Sequence, residues 1–121
     1  MAAEVDPAEV QTEQEEDVEV IPLTVEFSGG LEMLFADKKV HAIGLPAKTP
    51  DGKASNIAFL VDQVCEHLME DDRKELFIQD DSVRPGILVL INDADWELEG
   101  EEKYEVKKGD KIMFVSTLHG G

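Results

Sequence analysis

Only one stretch of this chain repeats its apolar residues at helical spacing. Ile57, Leu60, Val61, Val64, Cys65 and Leu68 fall on the i, i+3, i+4, i+7 positions of one face, while Asp62, Gln63, Glu66 and Glu70 occupy the other. Ser55 or Asn56 stands where an N-cap is needed. A lone amphipathic helix has a stripe to bury and no second helix to bury it against, so its partner must be a sheet. The chain has 121 residues, 42% of them hydrophobic, which is enough for one core and one domain.

The strands follow from period-two alternation. Leu23, Val25 and Phe27 alternate with Thr24 and Glu26, and Ser28-Gly29-Gly30 then supplies turn residues. Leu31, Met33, Leu34 and Phe35 form a short apolar hinge before a second alternation over residues 40–45, so the two runs predict an antiparallel hairpin. Residues 46–53 read as an exposed loop, and residues 75–79 as a short strand or buried connector. Residues 86–91 form a nearly continuous apolar run that fits a central strand covered on at least one face. Asn92-Asp93-Ala94-Asp95 turns the chain, Trp96 and Leu98 and then Tyr104 and Val106 make brief apolar returns, and residues 111–115 form the last strand. The expectation is an α+β domain with its sheet packed on one main helix.

Charge divides the chain further. Lys and Arg number 11 against 28 Asp and Glu, a formal net charge of −17, which argues against direct binding to nucleic acid. The longest apolar run is far short of the roughly 20 residues that span a bilayer, so no membrane association is expected. The N-terminus lacks the basic and apolar regions of a secretory signal, and a cytoplasmic location, with the nucleus as an alternative, is expected. Residues 1–20 hold eight acids and no base, which predicts a disordered acidic arm. The expected organisation is this arm over 1–20, a folded domain over 21–116 and a flexible tail over 117–121, although alternation at Val18, Val20 and Leu23 allows the first strand to begin inside the arm.

The tail is the most informative feature. Gly120-Gly121 has no side chains and can thread a channel too narrow for any Cβ. Five extended residues beyond Ser116 reach about 16 to 18 Å. The terminal carboxylate is an anion at neutral pH and a poor electrophile, so it must be activated, most simply as an acyl-adenylate, before sulfur or an amine can attack it.

The strings VEFSGGLEMLF, DDSVRPGILVLINDADWELEGE and FVSTLHGG resemble the ubiquitin-related modifiers, the sulfur-carrier branch of the eukaryotic ubiquitin-like proteins, over about residues 22 to 121. The resemblance implies a β-grasp fold with a mixed sheet and no catalytic activity of its own. It implies that the Gly121 carboxylate is adenylated by a ubiquitin-activating-type adenylyltransferase and thiocarboxylated by that enzyme's rhodanese domain, which uses ATP and a sulfur donor. The sulfur would pass to a tRNA 2-thiolation complex acting on the wobble uridine of cytosolic tRNAs. It also implies covalent, often isopeptide, attachment to target proteins in response to oxidants. Thr117, Leu118, His119 and Gly120 become the recognition tail, and no cofactor is expected to be bound. The acidic arm gains no function from the resemblance. Two rivals stand beside this reading: a non-covalent ubiquitin-like interaction module, and the small sulfur-carrying subunit of a molybdopterin-type synthase.

Other residues carry weaker signals. Leu31, Met33, Phe35 and Leu118 either form a docking patch for the activating enzyme or face the core. Arg84-Pro85-Gly86 reads as the start of a strand, with partner binding by Arg84 as the alternative. Cys65 lies on the apolar helix face and reads as a buried, inert thiol. His41 and His67 have no second ligand at metal spacing, and the run from Asp93 fails as a calcium loop because Leu98 and Tyr104 stand where Gly and Glu are required. No metal site is expected.

Overall fold

In the computed structural model, which describes residues 19–116, alternating apolar residues build the sheet strand by strand. Strand β1 (Val20–Ser28) points Leu23, Val25 and Phe27 inward and pairs antiparallel with β2 (Val40–Pro46), from Val20 opposite Pro46 to Glu26 opposite Val40. Helix α1 (Ile57–His67) follows, and the Phe59 N–H donates to the Asn56 side chain at 3.0 Å, so Asn56 is the N-cap. Ser55 is instead buried, its hydroxyl donating to the Pro46 carbonyl. The short strands β3 (Ile78–Gln79) and β4 (Ser82–Val83) form a separate hairpin. Strands β5 (Ile87–Ile91) and β6 (Ala94–Asp95) form another, and β7 (Lys111–Ser116) closes the sheet.

Both short hairpins have two-residue turns, and the residue types explain them. Asp80 and Asp81 sit at φ 54° and 65°, and Asn92 and Asp93 at 51° and 73°. A type I′ turn requires positive φ at both central residues, and Asn and Asp are the non-glycine residues that tolerate it best.

The main sheet runs β2-β1-β7-β5-β6. Strands β1 and β7 are parallel, from Thr24 opposite Lys111 to Ser28 opposite Val115, whereas β7 and β5 are antiparallel, from Ile87 opposite Ser116 to Ile91 opposite Ile112. A parallel pair cannot be joined by a tight turn, and α1 lies in the connection between its two strands. This mixed sheet holding one main helix is the expected β-grasp arrangement. As expected for residues 86–91, β5 lies inside the sheet, between the middle strand β7 and the two-residue edge strand β6. Its covering is on one face only, because Ile87, Val89 and Ile91 face α1 while Leu88 is 39% exposed.

The core joins Ile57, Leu60, Val61 and Val64 of α1 to Val25, Phe27, Leu45, Val89, Ile112 and Phe114 of the sheet. Phe27 stacks on Phe35 at 3.8 Å between ring centroids, and Phe77 meets Phe114 edge to face at 5.2 Å. Buried His41 completes this group, with Nε2 2.8 Å from the Lys38 carbonyl. Residues 31–35 form a 3₁₀ turn that directs Leu31, Leu34 and Phe35 inward. The docking-patch reading of Leu31 and Phe35 is therefore corrected: both are core side chains, 3% and 0% exposed, and only Met33 points outward. Trp96 packs on the rim of the core, whereas Leu98, in the same 3₁₀ turn (Trp96–Leu98), is 78% exposed.

Candidate functional site

A sheet with one helix to cover it has a second face turned outward, and cross-strand register decides what that face presents. Leu88 lies opposite Val115 and Leu90 opposite Met113, all four on the face away from α1. Leu88 is exposed and the other three are half-buried. Across β1, Glu26 sits beside Met113 and Thr24 beside Lys111, and exposed Val40 and Ala42 continue the face onto β2. The Lys111 ammonium contacts Asp93 at 3.2 Å on the rim. The result is an apolar strip on two adjacent strands bordered by polar groups, the composition of a surface that meets another protein.

The strip ends at Ser116, where β7 ends. On one flank Ser116 faces Ile87, whose N–H donates to the Arg84 carbonyl at 3.2 Å, so the turn at Arg84-Pro85-Gly86 lies beside this end of the sheet. Of the two arginines, Arg73 is committed to Asp71 through two side-chain hydrogen bonds of 2.9 and 2.7 Å. Arg84 makes no ion pair among the described residues; its Nη1 is 3.5 Å from the Glu75 carbonyl. Of the expected patch, Met33 on the 3₁₀ turn of residues 31–35 is the one exposed apolar side chain among the described residues. Thr117, Leu118, His119, Gly120 and Gly121 lie outside the described residues, as do residues 1–18 of the acidic arm, and Ser116 is where the tail is attached.

The opposite end of β7 is tied by a polar cluster. Buried Asp110 accepts hydrogen bonds from the Tyr104 hydroxyl at 2.8 Å, the Lys107 N–H at 2.8 Å and the Asn92 side-chain amide at 3.0 Å. Asn92 in turn accepts from the Lys111 N–H at 2.9 Å. Burial and the hydrogen bond to Asp110 push the Tyr104 phenol up to about 12, and the Lys107 ammonium lies 4.8 Å from its ring centroid. These groups are saturated by one another, which suits an anchor for the strand that carries the tail.

Chemistry within the domain is sparse. Burial pushes the Cys65 thiol up, opposed by the Lys74 ammonium and reinforced by Asp62, so Cys65 is a weak nucleophile. No group of three His, Cys, Asp or Glu among the described residues is placed to hold a metal ion. No helix among them is long and apolar enough to cross a membrane. Sequence reasoning missed the outward strip and the Asp110 cluster. The first had a signal: a sheet with one helix must turn alternate residues outward, and Leu88, Leu90, Met113 and Val115 are apolar at those positions.

The family model described as Urm1 (Ubiquitin related modifier) matches residues 22–121. A protein of Pyrenophora tritici-repentis named ubiquitin-related modifier 1 is 65% identical over 101 residues, 84% of this chain and 94% of that one. Its namesake in Chaetomium thermophilum is 64% identical over 104 residues, 86% of this chain and 94% of that one. Among solved structures, Urm1 from Trypanosoma brucei is similar at 36% identity with a TM-score of 0.69, covering 84% of this chain and 97% of its own. A chain of the BexX/CysO complex of Amycolatopsis orientalis shares the fold at 21% identity and a TM-score of 0.61, covering 82% of this chain and 99% of its own.

Proposed function

The chain belongs to the family of ubiquitin-related modifiers, and from that premise we propose that it is a sulfur carrier and protein modifier whose reacting group is the Gly121 carboxylate. The observation that carries this reading is the family match running through Gly121, at the end of a tail attached to the middle strand of the sheet. The carboxylate attacks the α-phosphorus of ATP held by a ubiquitin-activating-type enzyme, pyrophosphate leaves, and the acyl-adenylate becomes an electrophile. The outer sulfur of a persulfide on that enzyme's rhodanese domain displaces AMP to give an acyl persulfide, a thiol then attacks its S–S bond and leaves as a disulfide with the rhodanese cysteine, and the thiocarboxylate so released supplies the tRNA 2-thiolation complex. The acyl-adenylate can also be attacked by a lysine of a target protein under oxidative conditions, releasing AMP and giving an isopeptide bond. The chain is a substrate in both routes and catalyses neither.

The activating enzyme docks on Leu88, Leu90, Met113 and Val115. This face leads directly to Ser116, so docking there delivers the tail to the nucleotide. The charge of −17 suits a carrier that serves a tRNA-binding complex in the cytoplasm without competing for the tRNA.

Intact mass after incubation with the activating enzyme, ATP and a sulfur donor tests the proposal, beside a variant lacking Gly121. A gain equal to one oxygen replaced by sulfur, absent from the variant, is expected. No gain with an enzyme active on a control carrier leaves a non-covalent binding module. Stable co-elution with a catalytic subunit points to a molybdopterin-type synthase.

A further inference from the structure

We infer that Gly29 is a positioning residue for the carboxyl-terminal tail, because a Cβ at this position would occupy the space in which the backbone of Ser116 is seated at the end of the sheet. The inference rests on the proposed chemistry at Gly121. The parallel ladder of β1 and β7 runs through Phe27 opposite Phe114 and Ser28 opposite Val115. At the next residue β1 turns away, with Gly29 at φ +72°. A Cβ on Gly29 would lie 2.2 Å from the Ser116 carbonyl oxygen, 2.9 Å from its nitrogen and 3.1 Å from its carbonyl carbon. These are backbone atoms of the middle strand, not the yielding tip of a side chain. On its other flank Ser116 faces Ile87, so it cannot retreat without breaking the pairing of β7 with β5.

Gly30 is a built-in contrast. It also has positive φ, +104°, but nothing lies within 4 Å of a Cβ built there. Both glycines supply left-handed backbone, and only Gly29 supplies clearance as well. With Ser116 seated, the reacting carboxyl lies five residues farther along the chain, about 16 to 18 Å at full extension. In-line attack on the α-phosphorus needs the reacting atoms roughly 3 to 3.5 Å apart, and a displacement of about 1 Å costs on the order of 100-fold in rate. A displaced root therefore lowers kcat, while the docking face on β5 and β7, and with it KM, is kept.

Gly29→Ala and Gly30→Ala are compared in the full chain, by backbone NMR chemical shifts at Ser116 and by kcat and KM for adenylation by the activating enzyme. Gly30→Ala should keep strand shifts at Ser116 and change kcat less than about twofold. Gly29→Ala should move Ser116 toward coil shifts and lower kcat about 10- to 100-fold at nearly constant KM. Equal kcat in the two variants, or a loss confined to KM, overturns the inference. If Gly29→Ala does not fold, Gly29→Asn replaces it, since Asn tolerates left-handed backbone yet carries the same Cβ; Ser116 shifts unchanged in Gly29→Asn overturn the inference equally. If the unaltered protein is never adenylated, the proposed function falls and the tail-positioning inference falls with it, whereas normal adenylation of the unaltered protein and of Gly30→Ala beside an unimpaired Gly29→Ala removes this inference alone.

Discussion

The Tyr104 hydroxyl donates a 2.8 Å hydrogen bond to buried Asp110, and through Asp110 it is tied to Asn92 in the hairpin before β7. One carboxylate thus joins the turn after β5 to the loop over residues 104–110, and Asn92 extends the link to the first residue of the middle strand by accepting from the Lys111 N–H. Its three donors come from a phenol, a side-chain amide and a backbone N–H.

Removing the carboxylate strands those donors. Asp110→Ala should cost roughly 2 to 4 kcal/mol, because hydrogen bonds to a charged group contribute about 1.5 to 3 kcal/mol and the donors stay partly buried. Tyr104→Phe, which removes one donor and keeps the ring under Lys107, should cost about 1 to 2 kcal/mol. Urea unfolding measures both, and equal losses in the two variants would show that Tyr104 is the only partner that matters.

Tyr104 is the single tyrosine of the chain, so its ionisation can be followed by absorbance without deconvolution. The neutral phenol is the form favoured in the fold, where burial and the hydrogen bond to Asp110 push the pKa up to about 12 from the ordinary tyrosine value of about 10. A raised folded pKa means that the stability from this group is fully present below the unfolded value and is lost as pH rises through the folded one. The titration should therefore lie well above that of the urea-unfolded chain, and Asp110→Asn should bring the two closer together. Coincident titrations of folded and unfolded protein would contradict the assigned hydrogen bond.

The outward strip makes a separable forecast. Leu88→Asp places a charge in the proposed docking face at an exposed site, so folding should change little. KM for the activating enzyme should rise about 10- to 30-fold, the effect of losing roughly 1.4 to 2 kcal/mol of interface energy. Met33→Asp and Leu98→Asp, exposed but off this face, should leave KM unchanged. A larger effect from Met33→Asp would return the docking site to the 3₁₀ turn.

Phe35 gives the opposite signature. It is fully buried and stacked on Phe27, so Phe35→Ala should destabilise by about 3 to 5 kcal/mol. Measured at a temperature where the variant is folded, KM for the activating enzyme should stay normal.

How much of this was legible varies with the range of the signal. Helix α1 was readable because Ile57, Leu60, Val61 and Val64 repeat within the window that also holds the Asn56 cap. The Asp80-Asp81 and Asn92-Asp93 turns were readable because their residue types match the backbone they must adopt. Leu31 to Phe35 was ambiguous, since five residues in a 3₁₀ turn show neither period clearly, and the inward direction of Leu31 and Phe35 is set by the aromatic group they join. The parallel pairing of β1 with β7 has no local signature, and Asp110 meets Asn92 across 18 residues of sequence.

Cys65 has two charged neighbours, Lys74 and Asp62, of opposite sign. Burial disfavours the thiolate, and Lys74 and Asp62 act on it in opposite directions. Alkylation proceeds through the thiolate, so at neutral pH the folded protein should react more slowly than the urea-unfolded chain, with a midpoint above the usual value of about 8.5. Lys74→Ala removes the opposing ammonium and should raise the midpoint further, whereas Asp62→Ala should lower it. The two substitutions lie on different elements, Asp62 on α1 and Lys74 on the 3₁₀ turn (Lys74–Leu76), so a common unfolding effect would speed the reaction in both. Opposite shifts in the two variants would therefore identify electrostatics, and not local opening, as the control on this thiol.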